Sequence, residues 1–141
     1  MDIHEFLERP HRFRWGGVDG DDCMTFCATW AKEVTGVDLA ANLRGTYRTK
    51  PEAHAVMDAA GGALAFMDAR LSLLGAERAQ HPQDGDIGLI RTMTEGGIDA
   101  QVGAIRFGPL WACIHPAGVR ATKSDFIAAW RLPREALRER S

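Results

Sequence analysis

Three cysteines, five histidines and an acid-rich loop are the parts of this 141-residue sequence whose chemistry is most worth reading first. Cys23 leads them. It follows Val18-Asp19-Gly20-Asp21-Asp22 and opens a run in which Cys23, Phe26, Cys27, Trp30, Ala31 and Val34 recur at three- and four-residue steps. That spacing predicts a helix with one buried face and places Cys23 in its first turn. A helix start carries partial positive charge and unsatisfied N–H groups, which favour a thiolate, the nucleophilic form of the side chain. Cys23 also belongs to the apolar stripe with Phe26 and Trp30, and free cysteine is among the most buried residue types. The position leaves two roles open, nucleophile or packing residue. Cys27 lies a turn deeper and Cys113 falls in an expected strand, so neither shares the field of the helix start.

The other constellations carry less. Asp19, Asp21 and Asp22 form a carboxylate cluster, but no bidentate Glu follows at calcium-loop spacing, so they read as loop polarity and helix capping. His4, His11, His54 and His81 are scattered, and none pairs with a cysteine at zinc-finger spacing. Gly16-Gly17 and Gly61-Gly62 lack the strand-to-helix setting of a phosphate loop. Neither a metal nor a cofactor is called for. Arg12, Arg14 and Arg106 are candidates to line a groove for acidic groups, against the ordinary fate of an Arg that faces water. Trp30 reads as core, whereas Trp111 and Trp130 read as core or as interface anchors.

The elements that must hold these residues fall into two halves. Residues 2–9 form a short amphipathic helix with Ile3, Phe6 and Leu7 on one side, ended by Pro10. A Gly- and Asp-rich loop leads to the Cys23 helix, which Asp21 or Asp22 caps at the start and Gly36 at the end. Thr49-Lys50-Pro51-Glu52 opens another helix that runs to Gly61-Gly62, and a further one covers Ala63 to Leu74. After the turn cluster His81 to Gly85 the pattern becomes one of strands: Asp86–Met93, Gln101–Phe107, Leu110–Ile114, and more weakly Val119–Thr122 and Ala129–Leu132. Thr94 to Gly97 reads as a hairpin loop, and residues 134–141 as a polar, frayed end. Helices first and an antiparallel meander second is an α+β pattern in one domain spanning 1–141, with its core at about 11–132 and a tail from 133.

Composition narrows the function classes. Hydrophobic residues are 45% and charged residues 26%, the balance of a globular domain. The formal net charge of -2 gives nucleic-acid binding no support. No apolar run is long enough for a membrane span, and the charged N-terminal stretch lacks the apolar core of a signal peptide. An odd number of cysteines, two of them a helical turn apart, is no disulfide framework. The expectation is a reduced protein made in the cytoplasm and carried elsewhere by something other than a signal peptide.

Phe13-Arg14-Trp15-Gly16-Gly17, a short loop and then Asp22-Cys23-Met24-Thr25-Phe26 resemble the start of an NlpC/P60 domain, whose pattern is an aromatic-Gly-Gly loop before Asp-Cys-Ser-Gly-Phe. Gly85 to Ile90 resembles the Gly-Asp-apolar strand that follows in that family. Gln101-Val102-Gly103-Ala104-Ile105 resembles its His-Val-Gly-Ile-Tyr strand, and Phe107-Gly108 and Ile114-His115 fit its next turn and strand. The likeness spans roughly residues 11 to 122 in order, and Trp130-Arg131-Leu132 looks like a branch of such proteins from phages and prophages. NlpC/P60 domains are papain-like cysteine peptidases of bacterial cell walls and phage tails. The resemblance implies a Cys23 helix packed on an antiparallel sheet of about five or six strands. It makes Cys23 the nucleophile position, with Asp22, Trp15, Gly16 and Gly17 in support.

This sequence departs from the family where proton transfer is done. Gln101 stands at the position of the catalytic His, and an amide has no proton equilibrium near neutral pH. Met24 and Thr25 replace the usual Ser-Gly. Either the chemistry is lost, with Cys23 a packing residue and Gln101 a polar plug, or His115 serves as the base or orienting group. The first alternative implies a tail-associated or tail-assembly protein of a phage, prophage or gene transfer agent. It would use the fold as a structural module that contacts other virion proteins, with peptidoglycan as a further partner, and the particle would deliver it. The second implies a peptidoglycan endopeptidase with Cys23 attacking, His115 as base and Gln101 orienting it or holding the oxyanion. A cytosolic amidase or transferase on the same fold is a weaker third.

Overall fold

In the computed structural model residues 2–93 and 99–133 are described, so the expected 94–97 hairpin loop and the 134–141 tail lie outside the described residues. The described chain is α+β. Four helices, α1 (Ile3–Glu8), α2 (Cys23–Thr35), α3 (Lys50–Ala59) and α4 (Ala63–Ser72), precede six strands. These are β1 (Glu77–Arg78), β2 (Ile87–Met93), β3 (Asp99–Phe107), β4 (Leu110–His115), β5 (Gly118–Thr122) and β6 (Phe126–Arg131). The sheet is antiparallel, in the order β1-β6-β2-β3-β4-β5. No helix among the described residues is long and apolar enough to cross a membrane.

Local chemistry sets the helix ends. Asp2 accepts the N–H of Glu5 to start α1, and Thr49 accepts that of Glu52 to start α3, with Pro51 in its first turn. Gly36 ends α2 in the left-handed conformation. The buried face of α2 is the one its spacing predicts. Phe26, Cys27, Trp30, Ala31 and Val34 join Ile87, Leu89, Ile105, Ile114 and Trp130 in one core, which α1 and α4 extend with Phe6 and Phe66. Trp30 also donates its indole N–H to the Gly85 carbonyl, so the aromatic anchor of α2 fixes the turn that feeds β2. Trp130 donates to Asp68 of α4. Trp111 and Trp130 are both buried, so neither is the surface anchor that the sequence left open.

The opposite face of the sheet has its own small core of Ala79, Ile90, Ala104, Trp111 and Ala129. No helix is among these residues, yet Ile90, Ala104 and Trp111 are fully buried. Curvature explains this. Four strand spacings separate β5 from β6 in the sheet order, about 19 Å if it were flat. The chain from Thr122 to Phe126 can span at most about 14 Å. The sheet must therefore curl until the end of β5 approaches the start of β6. The register irregularity between Leu89 and Ile90 favours such bending, and Ser124 in the link donates to the Arg91 carbonyl of β2. Trp111 fills the hollow, its ring lying over Gly88, and its indole N–H has no partner among the described residues.

The strand boundaries differ from the sequence expectation for physical reasons. β6 begins at Phe126 rather than Ala129, because Phe126 packs against Trp111 in the hollow. β1 was not expected at all; it has only two residues, both exposed, and exists by pairing with the end of β6. β3 starts two residues before Gln101, paired with the end of β2.

Candidate functional site

Asp22 organises the start of α2. It is buried, and its Oδ1 accepts the N–H groups of Met24 and Thr25, while Thr25 Oγ1 accepts the Asp22 N–H in return, a reciprocal capping box. Its Oδ2 accepts the Gly16 N–H at 3.1 Å and the Tyr47 hydroxyl at 2.6 Å. One carboxylate thus ties the Trp15-Gly16-Gly17 loop, the helix start and the 44–50 segment together. Gly16 is required there. Its φ of +93° belongs to the left-handed region, and a side chain would run into the Tyr47 carbonyl. Trp15 is half-buried edge-on against Phe13.

Asp21 has a different task. It accepts from Thr29 and from Arg44, whose guanidinium also holds Asp38, Thr29 and the Gly17 carbonyl. Burial would raise the Asp38 carboxyl, but the hydrogen bonds from Arg44 and from the Ala40 N–H outweigh it and hold the group below the usual carboxylate range. Asp21 and Asp22 of the acidic cluster are therefore spent on ion pairing and capping, and Asp19 is exposed. Among the described residues no group of acidic, His or Cys side chains is placed to hold a metal. Sequence reasoning missed Tyr47, Arg44 and Asp38. The only available signal was that Tyr47 is the sole tyrosine.

Cys23 is half-buried in the first turn of α2, its sulfur 3.6 Å from the Ile114 carbonyl, to which the thiol donates. The activation expected of a helix start does not occur. Burial raises the thiol from its ordinary 9.0 to about 12, Cys113 and Asp22 add to the rise, and the local backbone N–H and Lys50 oppose it without prevailing. The capping box explains part of this, since a carboxylate already occupies the helix-start N–H groups. Cys27 donates to the Ala104 carbonyl and is driven upward by its complete burial. All three cysteines are free.

Gln101, at the position of the family's base, and His115, the candidate base, fare differently. Gly103 lies directly beneath α2, where a side chain would meet the Cys23 carbonyl and the Cys27 sulfur, each at 3.0 Å. Strand alternation puts Gln101 on that same helix side, two residues along β3. It is exposed there, opposite Arg91 in the register, which does not suit the polar plug that one of the two readings made of it. His115 is not brought to Cys23. Ile114 packs in the α2 core while Trp111 and Cys113 pack in the other, so alternation along β4 sends His115 with Cys113 to the face away from α2. Its Nδ1 accepts the Ala117 N–H, and no imidazole is hydrogen-bonded to the Cys23 sulfur among the described residues.

The remaining histidines and arginines are structural or exposed. His11 packs on Phe6 and Phe26 and bonds the Phe6 carbonyl, and His4 faces Asp84. Arg12 and Arg14 are exposed, whereas Arg106 lies over the Trp111 ring and donates to the Gly108 carbonyl. No curated protein and no solved structure matches the chain. A family model does match it, over residues 2–132, and the chain accordingly belongs to the family described as a domain of unknown function, DUF6950.

Proposed function

We propose that the protein is a non-hydrolytic docking module of a phage-type tail, of phage, prophage or gene-transfer-agent origin, built on an NlpC/P60-like papain fold. One observation carries the non-hydrolytic part: the Cys23 thiol donates a hydrogen bond to the Ile114 carbonyl, with no imidazole beside it among the described residues, and burial favours its protonated form. A thiol must become thiolate to attack a carbonyl, and a base must stand within about 3 Å of it. Neither condition is supported here. The likeness to a papain-like fold is supported by the element order, with a cysteine-bearing helix followed by an antiparallel sheet whose β3 passes under that cysteine. The tail assignment rests on the NlpC/P60 likeness of residues 13–26, 85–90, 101–108 and 114–115, and on Trp130-Arg131-Leu132.

The peptidase reading requires His115 to reach Cys23, and the alternation of β4 speaks against it. Two measurements test the proposal. Purified peptidoglycan incubated with the protein should release no muropeptides by mass analysis, and the Cys23→Ala variant should be indistinguishable. Release that depends on Cys23 would overturn the non-hydrolytic reading. Mass spectrometry of purified particles and their assembly intermediates should find the chain; its absence from both would remove the tail assignment.

A further inference from the structure

We draw no further inference here: the strongest candidate, the open groove between the ends of α2 and α4 where Val37 and Leu73 stand exposed beside Pro133, carries nothing because nothing in the structure shows what covers it.

Discussion

Cys23 sits between two opposing fields, and magnitudes decide the outcome. A helix start favours a negative charge by about 0.3–1 kcal/mol. Displacing a titration by one pH step takes about 1.4 kcal/mol, so the helix start alone moves a thiol by less than that. Burial moves it from 9.0 to about 12 in the other direction. At pH 7.5 iodoacetamide should therefore label Cys23 on the order of 100-fold or more slower in the folded than in the denatured protein. Fast labelling of the folded chain would refute this. The raised thiol also has a stability consequence. A group whose folded pKa is raised contributes stability below its unfolded value and loses it as pH climbs. Thermal stability should fall between about pH 9 and 12, and less steeply in Cys23→Ala. Tyr47 supplies a second residue-level prediction. Tyr47→Phe removes the hydroxyl donated to a buried carboxylate, which should cost about 1.5–3 kcal/mol in urea unfolding. Cys23 in a first turn and Asp22 as its cap were legible in the sequence because helix starts have local signatures. Tyr47 was not, since its bond to Asp22 joins residues 25 apart with no periodicity between them.

At the scale of elements, the loop before α2 is held by a guanidinium as much as by the helix cap. Arg44 is the common partner of Asp21, Asp38, Thr29 and the Gly17 carbonyl, and it is largely sheltered from solvent. Arg44→Met would leave two partly buried carboxylates without their cation and should cost about 3 kcal/mol or more. Calorimetry of that variant would check it; a loss below about 1 kcal/mol would mean the ion pairs are idle. β2 gives the complementary test on the sheet. Gly88→Ala puts a methyl into the Trp111 ring, so overpacking should cost about 1–3 kcal/mol and alter tryptophan emission. The long helix and the strands from Ile87 onward were readable because each carries its period. The two-residue β1 and the extra length of β6 were not, because pairing partners and the Trp111–Phe126 contact create them. His115 shows the same limit. Its neighbour Ile114 offers Cys23 a backbone carbonyl and packs its side chain in the α2 core, whereas alternation turns the His115 side chain to the other face.

At the scale of the molecule, helices cover one face of the sheet and the sheet covers much of its own other face. The division into a helical half and a strand half follows the sequence, and the curl does not, because strand order decides it. The chain visits β5 at one side and then enters β6 beyond β2, with only Lys123, Ser124 and Asp125 to make the journey. Those three residues act as a drawstring. Let out by a few inserted glycines, they would allow the sheet to flatten and lay bare the apolar hollow beside the already unpaired margin of β5. An apolar face next to an open strand margin recruits strands from other molecules. Light scattering of such an insertion variant should report oligomers or aggregates, and a well-behaved monomer would show that the curl is held elsewhere. Spacing between two strands, usually regarded as neutral ground, would then be what keeps the apolar hollow closed.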